Sequence, residues 1–271
     1  MTVAKAADHW VETPGGRLFA RSWQPEGSAA EAGPTVVLIH DSLGCVELWR
    51  DFPAALATAL GRRVVAYDRL GFGRSDPHPG PLPPDFIRGE TEAGLLPLCE
   101  QLGIGRMVPF GHSVGGGMAV GAAARLPERC AALVTVSAQT FVEDRTLAGL
   151  REAEAGFRDP AQMQRLARYH GAKAEWVLEA WLGTWLAPEF AGWTLDADLA
   201  RVRCPLLALH GDRDEYGSAR HPERIVAGAA GPSRMVLLPG CGHVPHREGP
   251  EAVIEEVARF LAQPSTRRSS A

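Results

Sequence analysis

The fold assignment starts from one segment, Met107 to Leu126, which reads MVPFGHSVGGGMAVGAAARL. Its first four residues form an apolar run, which is typical of a strand buried on both faces of a sheet. The pattern from Met118 to Leu126 favours a helix. Between the two lies GHSVG, residues 111 to 115, and a sharp strand-to-helix turn needs small residues on either side of its centre. The segment therefore predicts that Ser113 stands on such a turn, with its hydroxyl clear of the sheet.

Buried-strand signatures recur on both sides of this segment, and helical stretches alternate with them. The strand signatures are Thr35 to His40, Arg63 to Tyr67, Ala131 to Val136, Pro205 to Leu209 and Arg234 to Leu238. Trp49 to Leu60 and Pro250 to Leu261 have helical patterns, and Val11 to Gln24 has the pattern of a hairpin around a Pro-Gly-Gly turn. The alternation predicts an α/β protein with a mostly parallel sheet and crossover helices.

One interval interrupts this alternation, because the residues from Phe141 to Leu199 contain no buried-strand signature. Leu178, Trp181, Leu182 and Trp185 follow a helical spacing and form one apolar face. We therefore expect a helical insertion. Ligand pockets are lined mainly by apolar and aromatic side chains, so Trp176, Trp181 and Trp185 are the predicted substrate-binding residues. The alternative is that the tryptophans pack the insertion onto the rest of the protein.

Length, composition and charge exclude several classes of protein. The chain has 271 residues, of which 45% are hydrophobic and 22% charged, as in a globular protein with a large core. A net charge of -4 argues against a nucleic-acid partner. Residues 1 to 8 lack the apolar core of a signal peptide and no run is long enough to span a membrane, so we expect a cytoplasmic protein. The five cysteines form no Cys-x-x-Cys pair, and we expect neither a metal nor a cofactor.

The order of the motifs resembles that of the α/β-hydrolase family over nearly the whole chain. The matching landmarks are HDSLG at residues 40–44, DRLGFGRS at 68–75, GHSVG at 111–115, GDRD at 211–214 and GCGH at 240–243. The resemblance implies an eight-stranded, mostly parallel sheet and a catalytic triad in the order Ser, Asp, His. It also implies a core of residues 1–140 and 200–265, with a helical lid inserted after strand six at residues 141–199. We expect residues 266–271 to form a flexible tail.

A serine hydroxyl is a poor nucleophile at neutral pH, so it needs an imidazole base and an acid that orients the imidazole. Ser113 is the predicted nucleophile and His243, which precedes the last helix, the predicted base. The family pattern of glycine, two residues and aspartate selects Asp214 as the acid. Asp212 is the second choice, and Glu143 or Asp144 is the third. We expect His40, His112 and His210, which lie at strand ends, to be structural, and His246 to be a loop-packing or pocket-rim residue.

The tetrahedral intermediate of acyl transfer needs two backbone donors for its oxyanion. The Val114 N–H is one predicted donor, and the resemblance indicates the Ser42 N–H as the other. Many relatives carry His-Gly where this chain has His40-Asp41. A carboxylate near the oxyanion would oppose catalysis unless it is paired or faces away, and our hypothesis is that Asp41 points away from the oxyanion site.

The leading interpretation is a hydrolase that cleaves a carboxylic ester of an apolar small molecule, or a lactone, through an acyl-enzyme. The same triad also serves enol-lactonases, C–C bond hydrolases, thioesterases and cofactor-free perhydrolases, and these alternatives stay open. A different class also stays open, namely a ligand-binding or receptor protein of this fold without activity. The sequence leaves the oligomeric state undetermined, with a homodimer as one option.

Overall fold

The computed structural model describes residues 4–25 and 33–262, and the tail predicted at residues 266–271 lies outside these ranges. One sheet of eight strands runs through the described part in the order β1-β2-β4-β3-β5-β6-β7-β8. The pairs β1–β2 and β2–β4 are antiparallel and the other pairs are parallel, which confirms the mostly parallel eight-stranded sheet. The strands are β1 (Lys5–Thr13), β2 (Gly16–Gln24), β3 (Thr35–Ile39), β4 (Val64–Tyr67), β5 (Met107–His112), β6 (Leu133–Val136), β7 (Leu206–Gly211) and β8 (Ser233–Leu238).

Helices lie between the strands and cover the sheet. They are α1 (Phe52–Leu60), α2 (Phe86–Glu90), α3 (Leu96–Gln101), α4 (Val114–Arg125), α5 (Asp144–Gly156), α6 (Pro160–His170), α7 (Ala174–Trp185), α8 (Asp196–Leu199), α9 (Arg220–Gly228), α10 (Pro245–Glu248) and α11 (Pro250–Ala262). Within the described residues no helix is both long and apolar enough to cross a membrane.

The core has two layers, one on each face of the sheet. Side chains alternate between the faces of a strand, so Val37 and Ile39 of β3 belong to one layer and Val36 and Leu38 to the other. The first layer also contains α4, and the second contains residues of α1 and α11. A strand buried on both faces has to be apolar at every position, which explains the continuous apolar runs in the sequence.

Two helical regions differ from the sequence prediction. The sequence patterns named no element between the DRLGFGRS loop and β5, and α2 and α3 occupy most of residues 86–101 there, with a π-helical turn at Thr91–Leu95 between them. Glycines and Pro97 interrupt the helical pattern there, but buried Phe86, Ile87 and Leu98 hold the segment against the core. Helix α4 begins at Val114 rather than at Met118. Glycine has a low helix propensity, and three consecutive glycines lie in the first turn of α4. The sequence pattern therefore gave no indication that the helix includes this turn.

Helices α5 to α8 follow β6, and side chains of this segment are tied to loops at the end of the sheet. The His170 Nε2–H donates to the Leu43 carbonyl oxygen (3.0 Å), and the Gly73 N–H donates to His170 Nδ1 (2.9 Å). The Lys173 ammonium donates to the carbonyl oxygens of Gly73 (2.8 Å) and Ser75 (2.7 Å). These bonds fix the start of α7 relative to the loops that follow β3 and β4.

Candidate active site

Ser113 stands on a strained turn between β5 and α4. Its backbone has φ 55° and ψ -124°, a conformation that L-residues rarely adopt outside functional sites. Two glycines make the turn sterically feasible. A Cβ at Gly111 would lie 2.0 Å from the Gly115 carbonyl oxygen, and a Cβ at Gly115 would lie 2.2 Å from the Ile39 carbonyl oxygen. The turn therefore requires glycine at both positions, and it leaves the Ser113 side chain on the wall of a cavity.

The predicted triad residues lie in hydrogen-bonding distance of one another. Ser113 Oγ is 3.0 Å from His243 Nε2, and His243 Nδ1 is 2.9 Å from both carboxylate oxygens of Asp214. Ser113 follows β5, Asp214 follows β7 and His243 follows β8. The carboxyl ends of parallel strands meet at one edge of the sheet, and this edge assembles three residues that are far apart in sequence.

The charges at this edge stabilise a protonated His243. Burial opposes the ionised form of Asp214, but the hydrogen bond from His243 and amide donors at Tyr216 (2.8 Å) and Gly217 (3.0 Å) outweigh it and lower the pKa of Asp214 to about 2. Burial likewise opposes protonation of His243, but the hydrogen bond and charge of Asp214 raise the pKa of His243 above its ordinary value. An imidazole with a raised pKa next to a serine hydroxyl can act as a general base.

The alternative acids lie in other environments. Asp212 is exposed, and its carboxylate accepts the Gly240 N–H (2.7 Å). Glu143 accepts the N–H (2.6 Å) and the hydroxyl (2.9 Å) of Ser218, which holds the loop after Asp214. Asp144 is exposed at the first turn of α5. Of the four predicted acids, all within the described residues, Asp214 is the one that contacts the His243 ring.

Ser42 and Val114 lie where an oxyanion site can form. Val114 is the first residue of α4, and the first amides of a helix have no acceptor within it. Ser42 lines the same cavity as Ser113. Asp41, beside Ser42, also borders the cavity, but its two oxygens are engaged: Oδ1 accepts the Leu43 N–H (2.9 Å), and Oδ2 lies 3.2 Å from His112 Nδ1.

Three of the other histidines have structural contacts. The His40 Nδ1–H donates to the Asp41 carbonyl oxygen (2.7 Å), and His40 Nε2 accepts the Arg69 N–H (3.1 Å). The His210 Nε2–H donates to the carbonyl oxygen of Gly217 (3.0 Å), and burial lowers the pKa of this histidine. His246 is buried against the rings of Trp49 and Phe52.

Gln139 is a residue of the site that the sequence analysis missed. It is buried, it follows β6, and its Oε1 lies 3.2 Å from Ser113 Oγ. The single hydroxyl proton of Ser113 can bond either to Gln139 or to His243, so this amide competes with the base for the nucleophile. The sequence did offer one signal for Gln139. It is a polar residue just beyond the carboxyl end of a buried strand, two strands from the one that precedes His243.

Apolar side chains form much of the cavity around Ser113. Trp181 and Trp185 of α7 line it, together with Leu43, Leu48, Thr146, Leu150, Tyr216 and Val244. Trp176, which was predicted to bind substrate together with them, does not line this cavity. Its indole N–H donates to the Gly80 carbonyl oxygen (2.9 Å), and its ring stacks on His78 at a centroid distance of 5.1 Å. At 3.6 residues per turn, Trp176 is rotated by about 140° from Trp181 and faces another side of the helix.

Comparison with known proteins identifies the family. A family model described as alpha/beta hydrolase fold matches residues 34–176, which is more than half of the chain. The chain belongs to the alpha/beta hydrolase fold family. Among the residues that the structure describes, no group of three or more His, Cys, Asp and Glu side chains is arranged to hold a metal ion.

Individual proteins and solved structures are similar to this chain along most of its length. An uncharacterized protein of Mycobacterium tuberculosis (strain CDC 1551 / Oshkosh) is 27% identical over 256 residues, covering 93% of this chain and 78% of that protein. The 2-hydroxy-6-oxononadienedioate/2-hydroxy-6-oxononatrienedioate hydrolase of Paraburkholderia xenovorans is 28% identical, covering 86% and 89%. The enol-lactonase structure from Burkholderia xenovorans LB400 superposes with a TM-score of 0.73 at 20% identity, covering 94% and 100%. The last similarity shows a common fold.

Proposed function

We propose that the protein hydrolyses a carboxylic ester or a related acyl bond through a covalent acyl-enzyme. The observation that carries this proposal is the continuous chain of contacts from Ser113 Oγ through His243 to Asp214, at 3.0 Å and 2.9 Å. His243 takes the hydroxyl proton as Ser113 attacks the carbonyl carbon, and it returns the proton to the leaving group. Asp214 fixes the imidazole with its proton on Nδ1 and stabilises the imidazolium.

The oxyanion of the tetrahedral intermediate is stabilised by the N–H groups of Val114 and Ser42. Val114 contributes the amide next to the nucleophile, at the positive end of the α4 dipole. Water then attacks the acyl-enzyme with His243 as the base, which releases the acid and regenerates Ser113. No step of this proposed reaction requires a metal or an organic cofactor.

We further propose that residues 141–199 form a lid over a core of residues 1–140 and 200–265. The support is the position of Trp181 and Trp185, which belong to the inserted helices and line the cavity that contains Ser113. The preferred substrates therefore carry a medium-length or aromatic acyl group, because this wall offers apolar surface to bury.

A panel of p-nitrophenyl esters from acetate to decanoate tests this function, with the Ser113→Ala protein as the control for background hydrolysis. We expect kcat/KM to rise from acetate to the medium-chain esters and to fall to background in Ser113→Ala. A profile that peaks at acetate contradicts the apolar substrate. Saturable binding of the esters without turnover contradicts the enzymatic proposal and favours an inactive ligand-binding protein.

A second candidate function is C–C bond hydrolysis of a carboxylate-bearing substrate. One observation favours it: Arg247, four residues after His243, lines the cavity. A guanidinium in that position can pair with a substrate carboxylate. The similar protein from Paraburkholderia xenovorans is named for a dioate substrate, which adds support.

Arg247→Gln separates this candidate from simple ester hydrolysis. The assays compare 2-hydroxy-6-oxononadienedioate with a neutral p-nitrophenyl ester. If the second candidate is correct, the wild type cleaves the dioate, and Arg247→Gln lowers kcat/KM for it by at least ~10-fold while the ester is affected little. Arg165→Gln is the matched control, because Arg165 is exposed on α6 and away from this cavity. Absence of dioate cleavage by the wild type eliminates this candidate.

A further inference from the structure

The site contains a second pair of carboxylate and imidazole besides Asp214 and His243. His112, the residue before the nucleophile, is buried, and its Nδ1 lies 3.2 Å from Asp41 Oδ2. On the other side of the ring, His112 Nε2 lies 2.8 Å from the backbone carbonyl oxygen of His243. His112 therefore connects the loop after β3 with the backbone of the catalytic histidine.

The number of hydrogen-bond donors restricts how this pair can be protonated. A carbonyl oxygen only accepts, so the bond to His243 requires a proton on His112 Nε2. A neutral imidazole would then present a lone pair from Nδ1 to the Asp41 carboxylate, which also only accepts. Both contacts are satisfied either by a doubly protonated His112 beside an ionised Asp41, or by a neutral His112 that accepts the proton of a protonated Asp41. The Leu43 N–H, which Asp41 Oδ1 accepts at 2.9 Å, stabilises the ionised carboxylate and favours the first arrangement.

We propose that Asp41 and His112 form a buried ion pair that positions the backbone of His243 and cancels the charge of Asp41 beside the oxyanion site. The protonation of the pair is inferred from the contacts of Asp41 and His112 and does not depend on the reaction, whereas its effect on catalysis rests on the function proposed above. In this arrangement Asp41 and His112 are positioning residues, because neither contacts the reacting atoms.

The environment of Asp41 agrees with this assignment. Burial opposes the ionised carboxylate, but the hydrogen bond and charge of His112, together with the Leu43 amide, outweigh it and hold the pKa of Asp41 below its usual value. Asp41 precedes Ser42, one of the two proposed oxyanion donors. An unpaired carboxylate there would destabilise the developing oxyanion, and the positive charge of His112 offsets that repulsion.

Other titratable groups also surround the two histidine rings. His112 faces Asp41 on the loop after β3, the His243 ring at 5.2 Å between centroids, and the His246 ring at 4.6 Å on α10. Burial, with smaller contributions that include the charge of His112, keeps the pKa of His246 well below its ordinary value, so His246 stays neutral. The groups that act on His243 besides His112 are Asp214, Asp41, Glu215, His210 and Tyr216.

The direct test is two-bond ¹H–¹⁵N correlation NMR of histidine-labelled protein near neutral pH. The His112 signals, assigned by their loss in His112→Gln, are expected to show both ring nitrogens protonated. In Asp41→Asn, the asparagine amide can donate to Nδ1, so His112 is expected to become neutral with its proton on Nε2. A neutral His112 in the wild type overturns the ion pair, whatever the outcome for catalysis.

Kinetics test the consequence for the active site. Asp41→Asn keeps the hydrogen bonds and removes both charges of the pair, so the acidic limb of kcat/KM is expected to stay at its wild-type position. His112→Gln leaves Asp41 unpaired, which stabilises protonated His243 and shifts the acidic limb of kcat/KM upward by ~1 pH unit. The double variant Asp41→Asn/His112→Gln is expected to restore that limb. A strong rise of kcat in Asp41→Asn, or a limb that does not move in His112→Gln, overturns the proposed role of the pair.

Discussion

The candidate catalytic edge is formed by Ser113, Asp214 and His243. It borders the same cavity as the inserted helices α5 to α8, but the two regions differ in what holds their side chains in place. Each of these three residues follows a strand of the sheet, so hydrogen bonds between strands fix its position; β5 and β7 are buried, whereas β8 is a partly exposed edge strand. Trp181 and Trp185 lie on α7, whose orientation depends on contacts of its neighbours with loops, such as those of His170 and Lys173.

This difference predicts different responses to substitution. At the catalytic edge, small changes of charge or hydrogen bonding alter the reaction itself, because the groups act on atoms that change charge in the transition state. In the inserted helices, substitutions alter which substrates fit or how stably the segment packs.

The largest effect is expected at the acid. Asp214→Asn removes the charge that stabilises the imidazolium and the preference for a proton on Nδ1, so kcat is expected to fall by ~10⁴-fold. Steady-state kinetics on the preferred ester measures this change. Asp212→Asn is the matched control two residues away, and it is expected to retain most of the activity. A larger loss of activity in Asp212→Asn than in Asp214→Asn would contradict Asp214 as the acid and would indicate Asp212 instead.

An intermediate effect is expected at Gln139, which contacts Ser113 from the segment that follows β6. Gln139→Glu places a negative charge near 3.2 Å from Ser113 Oγ, where it opposes the oxyanion and competes for the hydroxyl proton, so kcat is expected to fall by ~10²-fold. Gln139→Met has a similar size without the charge and is expected to cost less than ~10-fold. Equal losses in the two variants would indicate a role in packing rather than in electrostatics.

The smallest effect on catalysis is expected in α7, where two tryptophans respond differently. Trp181→Ala removes part of the cavity wall, and kcat/KM for medium-chain esters is expected to fall by ~10-fold relative to acetate. Trp176→Ala leaves chain-length selectivity unchanged but lowers the free energy of unfolding by about 2 to 3 kcal/mol, because that ring packs on Phe72 and His78. Ester kinetics and urea unfolding measure the two quantities. A selectivity change in Trp176→Ala would place that ring at the substrate.

The same contrast explains how far the sequence could predict the molecule. Continuous apolar runs locate the central strands within one or two residues. The runs also locate the candidate site, because they are followed by Ser113 with its flanking glycines and by the loops that contain Asp214 and His243. The sequence pattern carries no comparable signal for α2 and α3, where Pro97 and glycines break the periodicity but tertiary packing outweighs propensity.

Side-chain direction was the second limit of prediction. Helical spacing indicates that Trp181 and Trp185 share a face, but it does not say which face meets the cavity. Trp176, which was predicted to bind substrate together with them, does not line that cavity. Gln139 was missed because its contact with Ser113 joins the ends of two strands. Such a contact depends on strand order, which the sequence suggests only through the resemblance to the family.

The central claim is that His243 activates Ser113, and covalent labelling with a fluorophosphonate tests it most directly. The wild type, Ser113→Ala, His243→Ala and the control Asp212→Asn are labelled in parallel, and the adduct is located by peptide mass spectrometry. The account predicts a single adduct on Ser113 in the wild type and in Asp212→Asn, and none in Ser113→Ala or His243→Ala. An unlabelled wild type, an adduct on another residue, or unchanged labelling of His243→Ala would contradict it.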